Sequence, residues 1–384
     1  MRRIYSIFTA QKRRLMHIHE NKNWPNFFWD SQKLANLLAE IRHRQGKMLG
    51  RMEALGFSVR TEATLDNLTL EVVKSSEIEG EILDINQVRS SIARRLGIEV
   101  AGLVSSDRHV DGVVDMMLDA TQSFEKPLSE ERLYGWQAAL FPTGRSGLSK
   151  ITVGAWRTGE NGPMQVISGA YGKEKVHFEA PEASRLPNEM AAFLDWFNAA
   201  NDLDPVLKSA IAHLWFVTVH PFEDGNGRVA RAIADMQLAR ADKTAQRFYS
   251  MSAQIRLERN DYYNILEQTQ KGSLDITEWL TWFLTCLGRS FDQVEDTLQQ
   301  VHRKTKFWDV IGHLELNHRQ HTMLNKLFDG FEGKLNTSKW AKITKCSTDT
   351  ALRDIQDLMA KGILVKEDAG GRSTSYLLNE VINS

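Results

Sequence analysis

The stretch that decides the fold is His220-Pro221-Phe222-Glu223-Asp224-Gly225-Asn226-Gly227-Arg228-Val229-Ala230-Arg231. The segment before it, Asp204–Val219, is apolar with the spacing of a buried helix. Pro221 cannot continue that helix, because proline lacks the N–H group that the helix needs. We therefore predict a helix that ends at Val219, a loop, and a second helix over Arg228–Ala241.

The loop residues of this stretch are suited to bind an anion. Gly225, Asn226 and Gly227 can adopt backbone conformations that turn successive N–H groups toward one point. The positive end of the following helix faces the same point. Arg228 and Arg231 are three residues apart and share a helix face. The sequence thus predicts a site for a di- or triphosphate.

Two further side chains add chemistry to this anion site. Asp224 supplies a hard oxygen ligand, as Mg²⁺ with a phosphate requires. His220 can take a proton near neutral pH. Together these groups indicate attack by a hydroxyl on a nucleotide phosphorus. The alternative is a simple Gly-Asn-Gly turn with solvated arginines, which we disfavour because so many positions agree in register.

The stretch resembles the signature of the Fic family, His-x-Phe-x-Asp/Glu-Gly-Asn-Gly-Arg-x-x-Arg, at every specified position. The resemblance implies a mainly α fold, a Fic-type helical bundle. It also implies transfer of AMP from ATP to a Ser, Thr or Tyr hydroxyl of a protein, with release of pyrophosphate. By the same resemblance His220 is the general base, Asp224 binds Mg²⁺, and the nucleotide is bound by Gly225, Asn226, Gly227, Arg228, Val229, Ala230 and Arg231. Some Fic relatives transfer UMP, phosphocholine or phosphate, so the nucleotide preference stays open.

A short hairpin is the one convincing strand signal in the first 300 or so residues. Val153–Trp156 and Gln165–Ile167 flank two glycines and a proline, which is typical of a β-hairpin. Fic proteins carry a flap that pairs with the backbone of the target protein. The resemblance assigns this role to Met164, Gln165, Val166 and Ile167. The alternative is an ordinary surface hairpin.

An inhibitory motif lies upstream of the core. Ser75-Ser76-Glu77-Ile78-Glu79-Gly80 matches the pattern Ser/Thr-x-x-x-Glu-Gly/Asn of autoinhibited Fic proteins, at the end of a helix predicted over about 64–80. The resemblance makes Ser75 and Glu79 inhibitory, with the Glu79 carboxylate paired to Arg231 where a γ-phosphate should lie. ATP would then bind with its phosphates misplaced for in-line attack. The alternative is a charged helix end capped by Gly80. In some relatives the same glutamate supports removal of AMP from a modified protein, so the direction of catalysis stays open.

Length and composition set the domain organisation. The chain has 384 residues, 48 Lys plus Arg, 49 Asp plus Glu and two cysteines. This charge balance excludes a polybasic nucleic-acid binder, and no apolar run is long enough to span a bilayer. The two distant thiols favour a reducing, cytoplasmic location. We predict an N-terminal helical domain over 1–100, a Fic catalytic core over 101–300 and a winged helix-turn-helix domain over 313–384.

Helical periodicity supports this division. Asp30 and Ser31 are predicted to cap a first helix. The helical pattern is predicted to be interrupted by Pro127, by Pro142 and by the glycines of 144–162. Other helices are predicted over 64–76, 86–96, 110–123, 186–198, 262–270 and 276–301. The C-terminal region predicts helices over 319–331, 337–343 and 348–361, then strands over 363–365 and 376–378 around a turn at 369–372.

The partners are predicted less closely than the site. ATP and a target protein, the chain itself included, are implied by the resemblance, and no membrane partner is expected. Residues 313–384 hold 10 Lys/Arg and 9 Asp/Glu, a balance that leaves DNA contact and protein interaction both open for the winged helix. The alternative class of function is therefore a nucleotide-sensing DNA-binding regulator. We also predict a homodimer, from apolar helical faces near the termini, and an upstream extension over 1–15, because the resembling N-terminal domain begins near Met16.

Overall fold

The computed structural model describes residues 17–98, 103–160, 162–168, 175–328, 331, 333–367 and 374–379. The chain divides into two compact units, Met1–Gln293 and Val294–Ser384. The described parts of both units are mainly helical, as the sequence predicts. The predicted extension over 1–15 lies outside the described residues.

Four helices begin the first unit: α1 (Ser31–Glu53), α2 (Phe57–Ile78), α3 (Ile85–Leu96) and α4 (Arg108–Gln122). Each of the helices α1, α3 and α4 is capped by an aspartate whose carboxylate accepts hydrogen bonds from N–H groups of the first turn. These aspartates are Asp30, Asp84 and Asp107, respectively. These bonds satisfy backbone donors that have no partner within the helix. The α1 cap agrees with the sequence, whereas α2 begins seven residues earlier than the predicted start at Thr64.

The helix α5 (Glu130–Leu140) is absent from the sequence-based prediction. It fits between the two prolines that were predicted only to interrupt the pattern, and it begins with a bond from the Arg132 N–H group to the Ser129 hydroxyl. Its buried residues are Leu133, Trp136, Gln137 and Leu140. A second helix that was not predicted, α9 (Met251–Leu257), is only seven residues long.

The centre of the first unit is α7 (Pro205–Val219), which is buried from Val206 through Val219. A helix that is apolar on all sides is a core helix, and α8 (Asn226–Asp242) packs directly against it. The remaining helices of this region are α6 (Leu186–Asn198) and α10 (Arg259–Gln270), while α11 (Thr277–Ile311) begins in the first unit and ends in the second. The bounds of α6 are those that the sequence predicts.

The strands form two-stranded antiparallel sheets. β1 (Arg145–Ser146) pairs with β2 (Ser149–Lys150), and β3 (Gln165–Ser168) pairs with β4 (Lys175–Glu179). The predicted pairing of the flap strand with residues 153–156 is wrong, because Val166 lies opposite Phe178 of β4 and residues 153–156 form no strand. Phe178 is buried, so the hairpin is anchored by an apolar residue that comes later in the chain than the predicted strands.

The second unit contains α12 (His318–Phe328), α13 (Thr337–Thr344), α14 (Thr348–Ala360), β5 (Leu364–Lys366) and β6 (Tyr376–Leu378). β5 and β6 pair antiparallel, and the core includes Trp340, Ile355 and Leu358. This order of elements is the one that the sequence predicts, while the winged-helix assignment stays a prediction. The predicted turn at 369–372 lies outside the described residues.

Within the described part of the chain, none of the helices combines the length and the apolarity needed to cross a bilayer.

Candidate active site

His220 ends α7 in a left-handed backbone conformation, with φ 52° and ψ 57°. Its N–H group still bonds to the Phe216 carbonyl at 3.0 Å. Non-glycine residues adopt this conformation only at some cost. The chain therefore leaves the core helix abruptly at His220 and enters the loop that begins with Pro221.

One of the two nitrogens of the His220 imidazole is hydrogen-bonded. Nδ1 lies 3.2 Å from the Val217 carbonyl oxygen, and because a carbonyl only accepts, Nδ1 carries the proton and Nε2 keeps a lone pair. Burial of the ring lowers the pKa of His220 to about 4. The positive charge of Arg157 acts in the same direction, while Asp224 and Glu79 oppose it. The ring is thus a neutral base at physiological pH.

Asn226 holds the loop closed. Its side-chain amide accepts from the Phe222 N–H at 2.9 Å and donates to the Phe222 carbonyl at 2.8 Å. Phe222 is fully buried and its ring centroid lies 5.0 Å from that of Trp156. The side chain of Asn226 is therefore engaged within the loop, so that only its backbone N–H can face an anion.

The first turn of α8 presents backbone donors. Gly225 precedes it with φ 88°, a conformation that favours glycine. The first backbone bond of α8 runs from the Val229 N–H to the Gly225 carbonyl at 3.0 Å, so the N–H groups of residues 226–228 have no partner within the helix. Val229 and Ala230 are fully buried, and their side chains pack in the core rather than line the site.

Asp224 is fixed from two sides. Its Oδ1 accepts from the Gly225 N–H at 2.6 Å, and its Oδ2 accepts from the Ser146 hydroxyl of β1. Sequence reasoning missed Ser146, which nothing in the local sequence connects with the loop. Among the described residues no group of three or more His, Cys, Asp or Glu side chains is placed to hold a metal ion. One carboxylate beside phosphate-binding N–H groups nevertheless fits Mg²⁺, which is usually bound by one or two carboxylates together with phosphate oxygens.

Arg231 is bound by the end of α2. Its Nε donates to the Ser75 hydroxyl at 2.9 Å and one Nη donates to the Ser75 carbonyl at 2.8 Å. The other Nη forms an ion pair with Glu79 Oε1 at 2.8 Å. Despite the cost of burial, the charge of Glu79 raises the pKa of Arg231. The structure thus brings together the two residues predicted to be inhibitory and the second arginine of the motif.

Arg228 is engaged by an acid that sequence reasoning missed. Its Nη1 donates to Glu81 Oε2 at 2.7 Å, and its guanidinium carbon lies 5.1 Å from the centroid of the Phe141 ring. Glu81 Oε1 lies 2.5 Å from Nε2 of His109 on α4. The hydrogen bond to Glu81 raises the pKa of His109. Burial alone would raise the pKa of Glu81, but the hydrogen bond from His109 and the charge of Arg228 lower it. Both arginines of the motif are therefore paired with acids from residues 79–81.

The turn after α2 makes this double pairing geometrically feasible. The N–H groups of Glu79 and Glu81 both bond to the Ser76 carbonyl, at 3.1 and 3.0 Å, and Gly80 between them has φ 85°. A left-handed glycine at a helix end reverses the chain within one residue. The two carboxylates consequently reach two arginines on the first turns of α8.

Two cavities adjoin the site, and Glu79 lines both. The first, of about 450 Å³, is lined by Glu81, His109, Ser146, Asp224 and Arg228 among others. The second, of about 490 Å³, is lined by His220 and Gly227 and by aromatic residues that include Phe178, Tyr262 and Tyr263. Polar groups line the first cavity, and apolar groups predominate in the second. The first cavity thus combines the carboxylates of Glu79, Glu81 and Asp224 with the cations of Arg145 and Arg228.

The predicted flap borders the second cavity. Val166 and Ile167 line it together with Ser168, and the Met164 carbonyl accepts from the Ala180 N–H at 2.9 Å. Gln165 is exposed and bonds to Glu179 across the hairpin. In the described part of the hairpin, β3 pairs with β4 alone, so its other edge has backbone groups without a strand partner.

In a helix-turn-helix the second helix of the motif is the one that contacts DNA. In the predicted winged helix this position falls to α14, which carries Asp349, Arg353, Asp354 and Asp357. One arginine against three aspartates is a negative balance, whereas DNA contact needs a positive one. The charge of α14 gives the DNA prediction no support.

A mainly helical core, a histidine at a helix end and a helix start with free backbone N–H groups are the features on which the resemblance to the Fic family rests. Residues 127–238 match the Fic/DOC family, and residues 17–98 match a domain of unknown function, DUF4172. Residues 127–238 thus carry a Fic/DOC family domain.

Relatives and one solved structure agree with this assignment. The chain is 33% identical over 114 residues to the protein adenylyltransferase Fic of Nematostella vectensis, which is 29% of this chain and 25% of that protein. It is 26% identical over 226 residues to the protein adenylyltransferase Fic of Drosophila mojavensis, which is 58% of this chain and 40% of that protein. It thus spans between a quarter and two fifths of these two relatives. A crystal structure of a Fic family protein from Desulfovibrio desulfuricans G20 superimposes with a TM-score of 0.52 at 22% identity, covering 91% of this chain and 97% of that one, which shows the fold.

Proposed function

We propose that this protein transfers AMP from ATP to a Ser, Thr or Tyr hydroxyl of a protein, and that Glu79 holds it in an inhibited state. The observation that carries the proposal is the pairing of a neutral histidine base with an anion-binding helix start. His220 Nε2 keeps a lone pair and lines a cavity that Gly227, in the first turn of α8, also lines. The names of the curated relatives support the same reaction class.

The phosphates of ATP would be bound by backbone N–H groups and by side-chain cations. The N–H groups of residues 226–228 point out of the helix start, and Arg228 and Arg231 lie on its first two turns. Such a helix start favours anions through its N–H groups and its dipole. Asp224 would hold Mg²⁺ beside these groups, and the ion would supply charge neutralisation at the phosphates. The second cavity, with Tyr262 and Tyr263, has room for the nucleoside.

The chemical step uses His220. Its Nε2 takes the proton of the target hydroxyl while that oxygen attacks the α-phosphorus of ATP. The bond from the α-phosphorus to the bridging oxygen breaks, and pyrophosphate leaves with the bonding electrons. The exposed edge of β3 would pair with the backbone of the target and hold its hydroxyl in line.

Glu79 would inhibit by occupying Arg231. Its carboxylate lies where a negatively charged phosphate oxygen would otherwise pair with the guanidinium, at 2.8 Å from Nη1. A phosphate excluded from this position leaves ATP misaligned for in-line attack. Glu81 on Arg228 would add a second contact of the same kind, from a carboxylate that is shared with His109.

The mass of the intact protein tests the proposal. The wild type, Glu79→Gly and Glu79→Gly/His220→Ala are each incubated with ATP and Mg²⁺, and with a lysate of the source cells as acceptor. We expect added AMP, on the chain or on a lysate protein, with Glu79→Gly alone. A transfer that survives His220→Ala contradicts the role of His220, and no transfer by any variant contradicts the transferase. Loss of AMP from a premodified acceptor would instead favour hydrolysis.

Contact with DNA, a homodimer and a cytoplasmic location stay predictions from the sequence.

A further inference from the structure

Arg157 is a buried arginine without an acidic partner. Only 5% of the residue is exposed, and within the described residues no carboxylate pairs with it. The other buried arginines of this region do have acids, Glu79 for Arg231 and Asp235 with Asp242 for Arg247. Burial lowers the pKa of Arg157 to about 10, so it stays charged at neutral pH. A buried, unpaired charge is costly, and its retention requires a reason.

The bonds of Arg157 supply that reason. Its Nε donates to the His220 carbonyl at 2.8 Å, and an Nη donates to the Pro181 carbonyl at 2.5 Å. Its own backbone N–H donates to the Pro221 carbonyl at 2.8 Å. The His220 carbonyl lies at the negative end of the buried helix α7, where a cation is favoured. The charge is thus compensated by oriented carbonyl groups instead of an acid.

These bonds join three segments that the proposed reaction requires to be aligned. Arg157 lies before β3, and Pro181 lies just after β4, so both ends of the hairpin are held by one side chain. The third segment is His220 itself, in its left-handed conformation. The planar guanidinium has its donors in a rigid fork, which allows it to fix two carbonyls at once.

We propose that Arg157 is a positioning residue that holds the flap hairpin and the base His220 in one rigid frame. The proposal rests on the proposed function, since it assigns the flap to the target and His220 to its hydroxyl. Arg157 itself lines neither of the two cavities. Its loss would misalign the hydroxyl and the base while leaving the phosphate site intact.

Arg157 also contributes to the charge around His220. Its positive charge favours the neutral imidazole, while the carboxylates of Asp224 and Glu79 favour the protonated form. Other titratable groups line the same cavity: His177, Arg259, Tyr262, Tyr263 and Glu267. A substitution that removes the charge at 157 and changes none of these should therefore raise the pKa of His220.

The experiment uses Glu79→Gly as the parent and compares Arg157→Met, Arg157→Lys and Arg240→Met. Arg240 is a matched control: burial also lowers its pKa to about 10, and it too bonds to backbone carbonyls, those of Phe124 and Lys126. The readouts are ATP-dependent AMP incorporation, the KM for ATP, and titration of the His220 ring by NMR, assigned with His220→Asn.

We expect Arg157→Met to lower kcat about tenfold to a hundredfold, with the KM for ATP unchanged within about twofold. The pKa of His220 should rise by about half a unit or more. Arg157→Lys should keep the pKa of His220 near the parent value, because the positive charge remains. It should still lower kcat, because one ammonium group cannot fix both carbonyls. Arg240→Met should change neither quantity.

Two results overturn the proposal: an unchanged kcat and His220 titration in Arg157→Met, or equal changes in Arg240→Met. If Arg157→Met does not fold, Arg157→Lys decides, and an unchanged kcat there overturns the proposal. If the parent incorporates no AMP, the proposed function has failed, and the His220 titration alone decides whether Arg157 acts on the base.

Discussion

The Glu79 carboxylate lies 2.8 Å from Nη1 of Arg231, and the missing side chain of Gly227 makes room for it. A Cβ atom built on Gly227 would lie 2.1 Å from Glu79 Oε1 and 3.3 Å from Arg231 Nη1. Heavy atoms that are not bonded cannot approach to 2.1 Å. The glycine that is expected to let phosphate approach the helix start is therefore also the residue that admits the inhibitory carboxylate.

Gly227→Ala should destabilise the wild type by displacing Glu79. We expect the free energy of unfolding to fall by about 1–3 kcal/mol, as for other overpacking changes, and to fall clearly less in a Glu79→Ala background. Urea unfolding of the four proteins of this double-mutant cycle measures the coupling. Gly135→Ala in α5 is the control, because nothing lies within 4 Å of its added Cβ. Equal losses in both backgrounds would contradict the contact.

Glu79→Gln should raise AMP transfer, while Glu77→Gln should not. The two acids lie on the same turn, but Glu77 pairs with Lys74 and Arg256 instead of Arg231. A hydrogen-bonded charge contributes about 1.5–3 kcal/mol, which predicts an increase of about tenfold to a hundredfold for Glu79→Gln. Incorporation of AMP at a fixed ATP concentration is the measurement. Equal rates for the two variants would remove the case for inhibition by Glu79.

Glu81→Gln should increase transfer further when Glu79 is already neutral. The Glu81 carboxylate is divided between Arg228 and His109, so we expect the loss of its charge to give about a two- to fivefold additional increase, as for a partly exposed ion pair. His109→Gln, which removes the partner on the other carboxylate oxygen of Glu81, should have an effect in the same direction. The comparison is between Glu79→Gln and Glu79→Gln/Glu81→Gln. A double variant slower than its parent would show that Glu81 assists the reaction.

Acid should destabilise the fold through His213. Its ring is buried and bonds to the Tyr262 hydroxyl at 2.8 Å, and burial lowers its pKa to about 3. Below the unfolded pKa of about 6.5 the unfolded chain binds a proton that the folded chain does not, so stability falls with decreasing pH by about 1.4 kcal/mol per unit.

The measurement is urea unfolding between pH 6.5 and 4.5. His213→Gln keeps a hydrogen-bond partner for Tyr262, and its free energy of unfolding should depend less steeply on pH. The control is His43→Gln, at an exposed position, whose free energy of unfolding should follow that of the wild type. A slope unchanged in His213→Gln would exclude this histidine as a source of acid sensitivity.

Much of the helical framework could be predicted from the sequence, because long amphipathic or apolar segments carry a clear period. α6 has the predicted bounds, and α8 begins two residues before its predicted start. The missed helix α9 has only seven residues, which give too weak a period. The missed helix α5 does carry the period, at Leu133, Trp136 and Leu140, but it lies between the two prolines that were predicted only to interrupt the pattern. The flap strand β3 was predicted, but its partner β4 was not, because strand pairing depends on which distant segment supplies a buried side chain such as Phe178.

The sequence by itself determined the course of the loop from His220 to Arg231. Pro221 ends one helix, Gly225 adopts φ 88° before the next, and the Asn226 amide bonds to Phe222, four residues away. Each of these effects is local, so residue type and spacing suffice to predict it.

Only the tertiary structure decided which distant groups meet this loop. Glu81 reaches Arg228 across 147 positions of the chain, and Arg157 reaches His220 across 63. Neither pairing follows a sequence period or spacing from which it could be predicted. Contacts of this kind arise from the packing of α2, α4 and the hairpin around α7 and α8, and packing is set by the complementarity of whole surfaces.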